Sequence, residues 1–332
     1  MATLIAVLAA LWATGALCFD LAASRTIRTV VAMAWLASVS FTWFVARPRR
    51  PARLAVLVLF CVILGWWLTL QPRQDRDWKP DVAMLANAVI DGEHVTVQNV
   101  RNFDYRTETD FTPSYDTRMY DLSQLRGMDL FVTYWGSPFI AHPIVSFNFG
   151  NQGRICFSIE VRARRGQAYS AIRAFYRQFE LIYVAADERD AVRVRTNIRE
   201  DEDVYLYHLN LPIQEVRARF LEYLLRINQL HARPEWYNAV TSNCTSNIRT
   251  QHVSGKPIPW DWRILVNGKA DELLYARGVL DRSLPFAELK RHAYINSRAH
   301  AADNAPDFSE RIRSETSASP LTPDAASRSN HG

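Results

Sequence analysis

Cys244 is the residue of this chain best placed to do chemistry. It sits in Trp236-Tyr237-Asn238-Ala239-Val240-Thr241-Ser242-Asn243-Cys244-Thr245-Ser246-Asn247-Ile248. The other three cysteines, Cys18, Cys61 and Cys156, lie in apolar runs, as small buried hydrophobes do. Cys244 instead follows a polar tripeptide that reads as a helix start, with Ser242 or Asn243 as its cap. A thiol in a first helical turn faces unpaired N–H groups and the positive end of the helix dipole. Both favour thiolate, the nucleophilic form. The backbone N–H groups of Cys244 and Thr245 would then be the donors for an oxyanion.

A nucleophilic thiol needs a base. His142, in Tyr134-Trp135-Gly136-Ser137-Pro138-Phe139-Ile140-Ala141-His142-Pro143, stands at the mouth of an expected strand, where a sheet presents a side chain to a cleft. The base needs an orienting partner, and Glu160, in Phe157-Ser158-Ile159-Glu160-Val161, is the candidate. With Ile159 and Val161 toward the core, alternation puts Glu160 on the opposite face. The bland alternatives are a loop histidine at His142 and a solvated strand residue at Glu160. His94, His208, His231, His252, His292 and His300 compete as bases. No cofactor is expected: the chain has no Walker loop, dinucleotide fingerprint or Gly-x-Ser-x-Gly elbow. No metal is expected either, because no His or Cys pair has ligand spacing with a second pair to match.

The elements that would carry these residues read as an α+β domain with a mainly antiparallel sheet. Alternation predicts strands over 95–100, 130–135, 144–149, 155–161, 181–185, 192–195 and 204–209, with Asn151-Gln152-Gly153 as a hairpin turn. Helical spacing predicts helices over 168–179 and 213–231, and Pro234 breaks the chain before the Cys244 helix. The domain is expected over 81–296, after a linker at 71–80. The Ala-, Ser-, Thr- and Pro-rich remainder, 297–332, reads as a disordered tail.

Ahead of the domain stand three uncharged apolar stretches, 3–19, 30–46 and 54–70, each near the length that spans a bilayer core. They read as three transmembrane helices occupying 1–70. Arg47, Arg49, Arg50 and Arg53 lie between the second and third, against Arg25 and Arg28 in the first loop. Basic residues gather on the cytoplasmic side, so the domain is expected outside: in a Gram-negative cell, a multi-pass inner-membrane protein with a periplasmic domain. The net charge of +5 is scattered and not interleaved with aromatics, which argues against nucleic acid. Membrane lipid is the expected partner, with lipoproteins or peptidoglycan peptides as further ones.

Several motifs taken together resemble one bacterial family. They are Asn99-Val100-Arg101-Asn102-Phe103-Asp104-Tyr105-Arg106, Tyr134-Trp135-Gly136-Ser137-Pro138 through His142, Phe157-Ser158-Ile159-Glu160, and Thr241-Ser242-Asn243-Cys244-Thr245. The family is named for the N-terminal periplasmic domain of Lnb, a lipoprotein N-acyltransferase. The His-before-Cys order is similar to circularly permuted papain-like proteins of the NlpC and lecithin:retinol acyltransferase kinds. In those folds a strand carries the histidine and a packed helix opens with the cysteine. The resemblance implies Cys244 as nucleophile and His142 as base, with Glu160 as third member.

Two chemistries use such a pair. In acyl transfer, Cys244 attacks an ester carbonyl and an amine discharges the thioester, while Trp135, Phe139, Trp236 and Tyr237 would line an acyl groove. In a cysteine peptidase or amidase acting on cell-wall peptide or envelope protein, water discharges the acyl enzyme. The third reading is a non-catalytic envelope scaffold in which Cys244 is only structural.

Overall fold

The computed structural model describes residues 2–238, 261, 263 and 267–314. Cys244 and Thr245, and with them the expected helix start, lie outside the described residues, as do His252 and the stretch 315–332.

Three helices open the chain: α1 (Ala2–Phe19), α2 (Arg25–Phe44) and α3 (Arg49–Thr69). The Ser24 side chain caps α2 by accepting from Ile27 N–H. Ala13, Leu17, Ala32 and Trp35 fill the space between the helices, and Trp35 Nε1 donates to Ala10 O at 3.0 Å. The outward faces stay apolar and exposed, for example at Leu8, Val30, Phe41, Leu57 and Val62. Two of the helices, Arg25–Phe44 and Arg50–Thr69, are long and apolar enough to cross a bilayer, and α1 contributes a shorter apolar helix, Thr3–Phe19.

The remainder is α+β. Among the described residues ten strands follow: β1 (Asn87–Asp91), β2 (His94–Arg101), β3 (Asp104–Tyr105), β4 (Phe111–Thr112), β5 (Tyr115–Asp121), β6 (Gly127–Trp135), β7 (Ala141–Asn148), β8 (Arg154–Arg162), β9 (Glu180–Ala186) and β10 (Glu202–His208). Eight of them form one sheet in the order β1-β2-β9-β8-β7-β6-β10, with β5 paired to β2. Its pairings are antiparallel except for the single β2–β9 contact, and β3 and β4 make a separate hairpin. The long helix α5 (Ile213–Ala232) lays Val216, Phe220, Tyr223, Leu224, Ile227 and Leu230 on one face of the sheet, against Phe147, Phe157 and Tyr183. The other face is covered by α4 (Glu188–Ala191), the π-helical turn Val194–Ile198, α8 (Asn296–Ala302) and α9 (Phe308–Arg311). Between α5 and α8 lie α6 (Ala270–Ala276) and α7 (Phe286–Ala293). With both faces covered, β9 and nearly all of β6 are buried, so β9 reads after Glu180 as a continuous apolar run, while β6 carries the buried polar residues Asp129 and Thr133.

Four expectations give way. The strand expected over 192–195 is helical, because Asp187 accepts from Arg189 N–H and starts α4, which runs on into the π-helical turn. Over 168–179 only the short turn Arg173–Phe175 forms. The expected apolar stripe does not face one core, since Phe179 is fully buried while Ile172 and Phe175 point outward. The stretch expected as disordered from 297 is ordered through Ser314: α8 and α9 bury Ala299, Ala302, Phe308 and Ile312 against the sheet. Its apolar content is mostly alanine, which hid the packing face. Finally, 71–80 is packed rather than a free linker. Gln74 Nε2 donates to Leu230 O at 2.7 Å, Trp78 is buried under the Arg162 guanidinium, and Arg76 pairs with Glu180 at 2.7 Å.

Candidate functional site

The sheet pairing aligns four strand ends. The C-terminal ends of β6 and β8 and the N-terminal ends of β7 and β9 share one end of the sheet. His142, second residue of β7, lies opposite Thr133 of β6. Odd-numbered residues of β7 and β8, such as Val145, Phe157 and Ile159, pack toward α5. That leaves His142, Ser158 and Glu160 together on the opposite face.

There they form a chain. His142 Nε2 lies 2.7 Å from Ser158 Oγ, and Ser158 Oγ donates to Glu160 Oε1 at 2.7 Å. The direct separation of His142 Nε2 from Glu160 Oε1 is 4.0 Å. A serine hydroxyl has one proton to give. Here it goes to the carboxylate, so Nε2 carries the imidazole proton and donates to Ser158. The lone pair is then on Nδ1, which has no hydrogen-bond partner among the described residues.

The charge state of each member follows from its surroundings. Burial pushes the imidazolium of His142 down to about 3, helped by the positive charges of Arg195 and Arg199 and opposed by Glu160. His142 is therefore a neutral base throughout the physiological range. Burial alone would raise the carboxyl of Glu160, but Arg101, Arg195 and His142 outweigh it and hold the group at about 2, fully ionised. Arg195 Nη2 stands 3.8 Å from Glu160 and its Nη1 3.2 Å from Glu202. Arg195 is carried by the π-helical turn, and such turns occur preferentially at functional sites. Arg101 is locked by Asp190 (2.8 Å), itself fully buried and also accepting from Phe103 N–H at 2.7 Å.

Ser158 and Arg195 were not singled out by sequence. Ser158 was readable in principle, since it is two residues from Glu160 on the same strand face. Arg195 was not, because the stretch around it looked like a strand.

The four aromatics expected in an acyl groove separate into two places. Trp135 and Phe139, 38% and 54% exposed, lie on and beside the β6–β7 turn, where Ile140 is also exposed. Gly136 turns the chain there with φ of 64°. Tyr237 is a core residue under α5, and Trp236 Nε1 reaches the end of α3, donating to Leu70 O at 3.3 Å. The described chain flanking Cys244 nonetheless meets this end of the sheet from both sides. Trp236 bridges to Glu180 of β9 and Tyr237 N–H donates to Phe179 O. On return, Gly268 N–H donates to Phe139 O at 3.1 Å, and a Cβ on Gly268 would overlap the backbone of Pro138 and Phe139.

The competing histidines fare differently. His208 Nδ1 pairs with Asp129 at 2.8 Å, and that contact raises its pKa. Asp129 also accepts from Arg154 and Arg313, and the group lines a cavity of about 1090 Å³ at the opposite end of the sheet. Among the described residues no group of three or more His, Cys, Asp or Glu side chains could hold a metal ion.

Residues 111–268 match the family model described as Lnb N-terminal periplasmic domain, a span that includes His142, Ser158, Glu160 and Cys244. No curated protein and no solved structure matches the chain.

Proposed function

We propose that this chain, whose residues 111–268 match the model of the Lnb N-terminal periplasmic domain, is a membrane-anchored envelope enzyme that transfers acyl groups through Cys244 and His142. The observation that carries the reading is the chain from His142 Nε2 through Ser158 to Glu160, which leaves Nδ1 without a hydrogen-bond partner among the described residues. That is the state a general base needs beside a thiol. The low pKa of His142 favours a neutral thiol–imidazole pair at rest, with the proton moving as attack begins. Cys244 Sγ attacks the carbonyl carbon of a lipid ester, its proton passes to Nδ1, and the tetrahedral oxyanion is held by the N–H groups of Cys244 and Thr245. The C–O bond breaks, the proton returns from Nδ1 to the leaving alkoxide, and a thioester remains on Cys244. An acceptor amine, such as that of a lipoprotein, then attacks the thioester, giving an amide and the free thiol. Ser158 and Glu160 hold the imidazole and favour its protonated form during both steps.

The reading takes the α+β domain as a permuted papain-like fold held behind three membrane helices. Because the C-terminal ends of α1 and α3 contact the domain through Gln178 and Arg177, the α2–α3 junction with Arg47, Arg50 and Arg53 falls at the far end of the bundle. By the positive-inside preference that end is cytoplasmic and the domain periplasmic. Tethering holds the site at high effective concentration over lipid substrates.

Mass spectrometry of the chain purified from membranes tests the reading. A hydroxylamine-sensitive fatty-acyl mass on the Cys244 peptide, lost in Cys244→Ala and strongly reduced in His142→Ala, is the expected result. A bare, slowly alkylated thiol in the wild-type chain would overturn it.

A further inference from the structure

The segment joining β8 to β9 begins three residues after Glu160, past Arg162, and ends at Glu180, which bridges Trp236. It packs on the ends of the membrane helices. Gln178 Nε2 donates to Phe19 O at 2.8 Å and to Asp20 Oδ1 at 2.6 Å, and Arg177 N–H donates to Asp20 Oδ2 at 3.2 Å. The Arg177 guanidinium stacks 4.1 Å from the Trp67 ring and donates to the carbonyls of Leu68 and Leu70. Tyr176 packs on Phe19 with ring centroids 5.2 Å apart, and its ring fills the space where a Cβ on Gly15 would stand.

Gly15 is four residues inside the end of α1, about 6 Å at 1.5 Å per residue. Tyr176 thus reaches below the helix end, and the turn that immediately precedes it adjoins the helix end itself, at Phe19. That turn exposes Ile172 (64%) and Phe175 (47%), with Tyr169 at 56%. Arg173 sits between them, its guanidinium 6.0 Å from the Phe19 ring. Large apolar side chains flanked by arginine, set at the depth of a helix end, have the composition of an interfacial membrane element.

We propose that the turn around Ile172–Phe175 inserts into the interfacial layer of the same bilayer that holds α1–α3, on the leaflet facing the domain. The occupant of this apolar face is phospholipid. The argument is continuity: the face adjoins helix ends whose apolar surface is already committed to lipid. Because the segment links the strand of Glu160 to the strand that touches Trp236, insertion presses the site's end of the sheet onto the membrane. The inference rests on the membrane anchor of the proposed function and is independent of Cys244 chemistry.

The test uses the full chain in phospholipid nanodiscs with p-benzoylphenylalanine placed singly at Ile172, Phe175, Val58 or Val89. Val58 is exposed on α3 and Val89 on β1 of the domain. After irradiation, phospholipid adducts are read by mass spectrometry. Adduct yields at 172 and 175 comparable to that at 58, and at least tenfold above that at 89, are expected. Adducts at 58 with none at 172 or 175 would overturn the insertion while leaving the anchor. No adduct at 58 would overturn the anchor and the insertion together, and neither result bears on thioester formation at Cys244.

Discussion

His142 reaches its carboxylate through Ser158 rather than directly: Nε2 stands 2.7 Å from the serine oxygen and 4.0 Å from Glu160. This makes Ser158 the residue that sets the tautomer. Ser158→Ala removes a fully buried hydroxyl, leaving Nε2–H and one carboxylate oxygen without their shared partner. The rate of thioester formation at Cys244 should fall by about ten- to a hundredfold, in the range of mispositioned general bases. Nitrogen-15 NMR of the ring should show Nε2–H in the wild-type chain and mixed tautomers in the variant. A single unchanged tautomer in Ser158→Ala would remove Ser158 from this role.

The charge states make a pH prediction with a definite sign. The native state keeps His142 neutral down to about 3, whereas an unfolded histidine takes a proton near 6.5. Between those values the unfolded chain binds more protons, so this contribution to stability is complete above pH 6.5 and is lost as pH falls. Glu160, at about 2 in the fold against 4.5 unfolded, acts in the same direction but only below pH 4.5. Chemical denaturation between pH 6.5 and 4.5 should therefore show a slope of up to about 1.4 kcal/mol per pH unit traceable to His142. His142→Gln should flatten that slope, whereas a slope unchanged in His142→Gln would place the burden on other groups.

The ion pair of Arg101 and Asp190 is a structural device beneath the site. Asp190 is fully buried and Arg101 nearly so. Removing one partner strands the other charge, so Arg101→Met should cost about 3–5 kcal/mol. Arg101→Met with Asp190→Leu removes both charges and should recover part of that loss, although Phe103 N–H then lacks its acceptor. Thermal unfolding of the two variants reads the difference. Equal losses in the single and double variants would show that packing, not charge, is what Arg101 supplies.

What could be read in advance follows from how local each signal was. The β7–β8 hairpin was legible because Asn151-Gln152-Gly153 is a turn signal between alternating strands, and Gly153 does take a φ of 83°. The α5 stripe was legible from its spacing, as was the face of Glu160 from Ile159 and Val161. The pairing of Arg195 with Glu160 was not, because it depends on a π-helical turn specified by contacts from α4 and α8. The packed stretch through Ser314 was missed for a related reason. Its alanines fit a crowded sheet face, and in sequence small residues look the same in a core as in a loop. The β8–β9 connection misled in the opposite direction. Its apolar residues had helical spacing but were divided between the domain core and the ends of α1 and α3.

The last prediction concerns that junction. A side chain at Gly15 would overlap the Tyr176 ring, so Gly15→Leu should force the β8–β9 connection off α1. Gly15 lies within a helix, where leucine is the better helix former, so the substitution stabilises α1 itself by up to about 1 kcal/mol. Any loss then belongs to the junction. Limited proteolysis of the detergent-solubilised chain should show faster cleavage within 164–178 in Gly15→Leu. The added change Tyr176→Ala opens the space and should slow cleavage again relative to Gly15→Leu. If Gly15→Leu leaves the cleavage rate unchanged, α1 is not the support on which this connection rests. Faster cleavage that Tyr176→Ala fails to slow would show that the two residues act separately.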